Sequence, residues 1–147
     1  KDNGLTMIID AKGMILGRLS SFVAKQVLLG NNVDVINCEE AVVSGKKANV
    51  FANYIRRIDR KAPGKGPYLY RRPDMFVRRT IRGMLPFKRS RGREAFKKIK
   101  CHVGVPENLK HEKALSIEAK SEKLMSADHL KVKDICKAIS GREFKTQ

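Results

Sequence analysis

The hydrophobic positions of the first 45 residues change period twice. Met7-Ile8-Ile9-Asp10 is a short apolar run that predicts a buried strand. After Lys12-Gly13, Ile15, Leu19, Phe22, Val23 and Val27 recur at spacings of three and four, which predicts a helix stopped at Gly30. Val33 to Cys38 is rich in β-branched residues and reads as a second strand, and Ala41 to Gly45 as a short third one. A strand, a helix and another strand is the βαβ pattern, which favours a parallel sheet with a right-handed crossover.

From Lys46 onward three shorter helical stripes follow, separated by turns. Val50, Phe51, Tyr54, Ile55 and Ile58 form the first, with Ser44 as its expected cap. Asp59 to Pro73 is interrupted by Pro63, Gly64, Gly66 and Pro67, so a loop is predicted there. Asp74 is the expected N-cap of the next helix, in which Val77, Ile81, Met84 and Leu85 face inward until Pro86 ends it. Ser90 is the expected cap of a third, with Ala95, Phe96 and Ile99 inward. Cys101, Val103 and Val105 then alternate as a strand up to Pro106. In the last 40 residues only Ser116 to Met125 and Lys133 to Ser140, stopped by Gly141, read as helical. That tail is expected to be a peripheral extension of a single domain.

Charge changes this picture. Residues 46–100 hold 19 of the 32 Lys and Arg against three acids (Asp59, Asp74, Glu94), a net +16, and 11 of the 13 arginines. The flanks are close to neutral. Such a density repels itself unless a polyanion neutralises it, and arginine's planar fork suits phosphate. Nucleic acid is therefore the expected partner. No apolar run approaches the ~20 residues needed to cross a bilayer, and Lys1 to Thr6 lacks a signal-peptide apolar region. Cys38, Cys101 and Cys136 are widely spaced and odd in number, which points to a reducing compartment and to no structural zinc.

On the helix from Asp74 to Leu85, Arg78 and Arg82 share a face with Arg79 beside them. A merely solvated face would carry acids at i,i+4; the only nearby acid is Asp74, already claimed as the cap, so phosphate contact is the better reading. In the loop, Lys61, Lys65, Arg71 and Arg72 accompany Tyr68 and Tyr70, cations beside planar faces on which bases stack. Catalytic patterns fail. Gly45-Lys46 lacks the earlier glycine and the following Ser/Thr of a P-loop, and Leu69 stands where a G-x-G-x-x-G would need its last glycine. His102, His111 and His129 have no ligand spacing, and Glu39-Glu40 would point to opposite faces of a strand.

Ile9-Asp10-Ala11, Leu16-Gly17-Arg18-Leu19-Ser20-Ser21, Val35-Ile36-Asn37-Cys38-Glu39, Ser44-Gly45-Lys46-Lys47 and above all Arg82-Gly83-Met84-Leu85-Pro86 resemble the large-subunit ribosomal protein L-thirteen family. Gly66-Pro67-Tyr68, Arg71 to Asp74 and Val103 to Pro106 resemble its archaeal and eukaryotic branch. The resemblance runs from about Met7 to Pro106 and implies a three-layer α/β/α fold around a four-stranded, mainly parallel sheet. It divides the chain into an RNA-binding domain, 1–106, and an extension, 107–147, packed on it or on neighbouring components. It implies a structural constituent of the cytoplasmic large ribosomal subunit that binds large-subunit ribosomal RNA beside other ribosomal proteins. It further implies no enzymatic activity, cofactor, metal or small-molecule substrate. The candidate RNA-binding residues are Arg18, Lys46, Lys47, Arg57, Arg60, Lys61, Lys65, Tyr68, Arg71, Arg72, Arg78, Arg79, Arg82, Arg89, Arg91 and Arg93. The competing class is an RNA-modifying or RNA-processing enzyme with a doubly wound fold, which would need a cofactor loop or carboxylate cluster at the carboxyl ends of its strands.

Overall fold

A computed structural model describes residues 6–60, 64–66, 68–110, 114–115 and 128–140. The expected βαβ unit is present as β1 (Thr6–Asp10), α1 (Leu16–Leu28) and β2 (Asn32–Ile36). Gly30 at φ 106° ends the helix region, a left-handed conformation that a side chain would strain. β2 pairs in parallel with β1 on one side and with β4 (Ile99–Cys101) on the other. Consecutive strand residues point to opposite faces, yet Ile8 and Ile9 on β1 and Val35 and Ile36 on β2 are all buried, so both faces of the sheet are covered.

Among the described residues, the sheet has three hydrogen-bonded parallel strands where four are expected. At its β1 edge Leu115 makes a single parallel bridge to Ile9, donating its N–H to the Ile8 carbonyl at 2.8 Å. β3 (Val42–Ser44) lies outside that sheet and pairs antiparallel with β5 (His129–Lys131). The strand expected over Cys101, Val103 and Val105 lies earlier: Ile99, expected on the third helix, begins it and Cys101 ends it, and Gly104 at φ 71° turns the chain beyond.

Between these strands lie α2 (Lys47–Asp59), α3 (Pro73–Met84) and α4 (Ser90–Lys97). None of the three expected caps acts as one. Lys46, Arg72 and Arg89 occupy the N-cap positions, and no side-chain cap bond is made. Pro73 explains the shift on α3: a fixed φ and a missing N–H suit the first helical position, which moves Asp74 into the first turn. There its carboxylate receives both Nε and Nη2 of Arg72, at 3.2 and 3.1 Å.

The tail is not peripheral over its described residues. β5 leads directly into α5 (Val132–Ser140), and Leu130, Val132, Ile135 and Cys136 are buried in the common core with Leu19, Val23, Val77, Ile81 and Ile99. Glu40 fastens the same segment, accepting Lys131 Nζ at 2.6 Å and Lys133 Nζ at 3.2 Å. Burial pushes the Cys136 thiol up to about 12, so it packs as a small neutral hydrophobe. The helix expected over Ser116 to Met125, the stop at Gly141 and His111 lie outside the described residues.

Candidate nucleic-acid interface

α3 sets the site. Its Phe76, Val77 and Ile81, followed by Leu85, are buried and fix the rotation of the helix. Arg79 and Arg82 are thereby turned outward and exposed. Met84 does not join the core as expected: it is 41% exposed, and the Ser21 hydroxyl approaches its sulfur at 3.4 Å. Arg78 also departs from expectation, being half-buried, with Nε enclosed and without a hydrogen-bond partner. Arg78 is drawn toward α4, its guanidinium over Phe96. Met84 shares the phase of Val77, seven residues earlier, but as the last residue of α3 it is left exposed.

The arginines of α3 rest on aromatic rings instead of acids. Arg78 Cζ lies 4.7 Å from the Phe96 ring centroid, Arg79 5.4 Å from that of Tyr70, and Arg82 3.9 Å from that of Phe87. Phe87 and Phe96 meet edge to face at 5.5 Å, so two of the three platforms form one unit. Arg79 Nη1 also donates to the Tyr68 carbonyl at 3.2 Å. A ring under a guanidinium restrains it and is worth about 0.5–1 kcal/mol at an exposed site, while its N–H edges stay free for phosphate oxygens. Among the described residues, Arg72–Asp74 is the one ion pair within 46–100.

Arg79, Arg82 and Arg89 converge, with Lys88, on a shallow cleft of about 570 Å³ at the C-terminal end of α3. Its turn is held rigidly: Arg89 N–H donates to the Pro86 carbonyl at 3.0 Å, and a Cβ on Gly92 would overlap that carbonyl. Among the described residues, no acid lines this cleft. A second cavity of about 540 Å³ mixes Asp34 and Glu94 with Lys97, Lys98 and Lys100, a poorer match to a polyanion.

The other candidates spread around this centre. Arg18 is exposed on α1, one turn before Ser21 and so on the face that meets Met84. Arg91 donates to the Leu28 carbonyl at 3.4 Å, and Arg93 is exposed beside it on α4. Lys46 and Lys47 are exposed at the start of α2, Lys47 lying 5.9 Å from the Phe51 centroid. Arg57 lies on Tyr54 at 5.4 Å, and Arg60 caps the helix C-terminus. Burial raises the Tyr54 hydroxyl above its ordinary range, with Arg57 opposing, so the ring serves as a neutral platform. Lys65, Arg71 and Arg72 are exposed in and after the loop, whereas Lys61 lies outside the described residues. Tyr68 is 66% exposed and donates its hydroxyl to the Gly64 carbonyl at 2.7 Å.

Sequence reasoning missed Lys88 and the platforms Phe87 and Phe96. A signal existed, since seven of the nine Phe and Tyr fall within 46–100, interleaved with the cations. The pairing of Arg78 with Phe96 crosses two elements and is not readable locally.

Among the described residues, the carboxyl ends of the parallel strands hold no free acid. Asp10 accepts Asn37 Nδ2 and the Lys12 N–H at 2.9 and 3.0 Å. Both oxygens of buried Glu39 accept the Gly104 N–H, at 3.0 and 3.1 Å, and Glu40 is taken by the two tail lysines. Glu39 and Glu40 lie in a 3-10 turn, Cys38–Glu40, so the strand argument for them does not apply. Where a doubly wound enzyme keeps its reactive groups, this chain spends them on holding loops.

An α/β body carrying an aromatic-backed cationic face defines the class: a scaffold built to meet a polyanion. The profile of the family described as Ribosomal protein L13 matches residues 5–108. A large ribosomal subunit protein uL13 of Methanosarcina barkeri is 46% identical over 121 residues, covering 82% of this chain and 86% of the relative. That of Archaeoglobus fulgidus is 47% identical over 122 residues, covering 82% and 78%. That of Methanopyrus kandleri is 48% identical over 99 residues, covering 67% and 62%. The chain belongs to the ribosomal protein L13 family, whose members are structural proteins of the large ribosomal subunit and not enzymes. Among the described residues, no helix is long and apolar enough to cross a membrane.

Proposed function

We propose that this chain binds large-subunit ribosomal RNA through residues 46–100 and stabilises the folded subunit beside neighbouring ribosomal proteins. The observation that carries this is the replacement of acids by rings beneath Arg78, Arg79 and Arg82. Ion-paired arginines would have to exchange one partner for another, whereas these present restrained guanidinium edges at little cost in ordering entropy. The centre of the interface is the cleft with Arg79, Arg82 and Arg89. Arg18, Arg71, Arg72, Arg91 and Arg93 extend it, and Lys46, Lys47, Arg57, Arg60, Lys61 and Lys65 form a second contact zone, with Tyr68 as an exposed stacking surface. Arg78 acts partly as a support, its outer nitrogens reaching phosphate and its stem packing on Phe96. RNA helices are read by shape and backbone here, since no element is shaped to enter a deep major groove. The body 1–106, with the described residues of the extension 107–147 packed on it, forms a three-layer α/β/α unit in which the Leu115 segment occupies a fourth strand position beside β1.

Electrostatic binding of this kind has a measurable slope. With roughly six to ten phosphate contacts, log K should fall with log salt at about −4 to −7 on the single-strand scale. Replacing Arg79, Arg82 and Arg89 together by Glu should abolish binding to structured ribosomal RNA and incorporation into large subunits, while circular dichroism stays that of the wild type. A flat salt dependence, or a triple variant that still joins subunits, overturns the assignment.

A further inference from the structure

We propose that the cleft at the end of α3 is a pocket for one unpaired RNA nucleotide, which rests on the reading of this face as an RNA interface. A phosphate-only surface needs cations and no shape. This site has both, since an open cleft of about 570 Å³ lies beside four cations and one aromatic platform. Arg82 lies with one side against Phe87, 3.9 Å from its centroid, which leaves its other side to a base. Unstacked bases settle on guanidinium planes as they do on aromatic rings. A base there completes a stack of base, Arg82 and Phe87, with Phe96 bracing Phe87 from the edge.

The phosphates flanking such a nucleotide fall within reach of Arg79, Lys88 and Arg89, the remaining cations of the cleft. Gly83 keeps it open. No atom lies within 4 Å of where its Cβ would stand, and its φ is not in the left-handed region, so a side chain is absent for reasons other than backbone strain. A paired nucleotide cannot enter, because its base is occupied in the stack of its own helix. The pocket thus selects a bulged or looped-out nucleotide, and it fixes the register of the protein on the RNA where the phosphate contacts alone would let it slide.

The test uses the full chain and two RNA hairpins that differ by one bulged 2-aminopurine nucleotide. Wild type should bind the bulged hairpin about fivefold or more tightly over the fully paired one, the worth of one stacked base, and the fluorophore should be quenched on binding. Arg82→Lys keeps the charge but loses the plane, and Gly83→Leu fills the space. Both should bring the ratio of the two affinities to about one, with the quenching lost and the melting temperature retained. Equal binding of the two hairpins by wild type overturns the pocket while leaving the cationic interface intact. A preference that survives either substitution overturns it as well. Failure of wild type to bind either hairpin at low salt overturns the RNA interface and the pocket together.

Discussion

α1 and α2 are each 13 residues long and each carries an apolar stripe, yet α1 buries six residues and α2 buries one, Val50. The stripe of α1 closes on the sheet and α3. That of α2 stops at half-burial, with Phe51, Tyr54 and Ile58 partly covered and Ile55 half exposed. Lys47 and Arg57 lie on the rings of Phe51 and Tyr54. The difference separates a body that holds itself together from a cationic face that the described chain leaves partly uncovered. Periodicity reports that a helix has two faces; it does not report what covers the apolar one.

The sharpest break of this comparison uses a residue of the basic segment that belongs to the body. Ile81 is fully buried on α3, between the exposed Arg79 and Arg82. Ile81→Asp should cost more than about 4 kcal/mol and leave no cooperative unfolding transition, because a buried charge without a partner is among the most severe substitutions. A well-folded Ile81→Asp protein would show that α3 is mounted loosely and that the body ends before residue 73.

Next in size is a matched pair. Leu19 on α1 is fully buried and Ile55 on α2 is 50% exposed. Leu19→Ala should lower the unfolding free energy by about 2–5 kcal/mol, and Ile55→Ala by less than about 0.5 kcal/mol. Urea titration of both variants checks this, and equal losses would erase the distinction between the two helices.

A third substitution tests the junction of body and face. Gly92 packs against the Pro86 carbonyl, which is backbone and cannot swing aside. Gly92→Ala should cost about 1–3 kcal/mol, as overpacking does, despite alanine's better helix propensity. A stabilised Gly92→Ala protein would mean that the turn at Pro86 yields, and with it the shape of the cleft.

These substitutions separate what sequence could report from what it could not. β1, α1 and β2 were legible because their signals are local: a short apolar run, a stripe of period 3.6 and a β-branched run. The pairing of β3 with β5 joins residues 42–44 to 129–131 and has no local trace, so the tail reads as peripheral from sequence although it completes the core. The missed cap of α3 had a local signal in Pro73, whose preference for the first helical position outweighs the capping habit of Asp74. Of the candidate site, the charge density is plain in the sequence, and the outward orientation expected of the α3 arginines is seen for Arg79 and Arg82. The rings beneath them depend on tertiary packing across the turn at Pro86, and Arg78 was assigned outward because its burial is imposed by α4.

The smallest effect concerns how the near-neutral tail is fixed, by ion pairs that the basic segment almost wholly lacks. Glu40 holds Lys131 and Lys133, and the hydrogen bond from Lys131 keeps its carboxyl below the ordinary carboxylate range, with burial opposing and Lys133 assisting. The same bond raises the Lys131 ammonium above its ordinary range. A depressed carboxylate contributes stability that is full above about pH 4.3 and lost as pH falls through its lower folded value. A raised ammonium contributes stability that is full below about pH 10.4 and lost as pH rises through its higher folded value. The clasp therefore acts between those limits. The lysine side chains are 43% and 48% exposed, so solvent screening holds the gain to about 0–1 kcal/mol. Glu40→Gln should lower the urea midpoint slightly at pH 7, and its difference from wild type should vanish as pH drops below the carboxylate range. If that difference grows on acidification instead, Glu40 contributes through something other than its charge, and the tail is held to the body by the β3–β5 pairing and the packing of Leu130, Val132, Ile135 and Cys136.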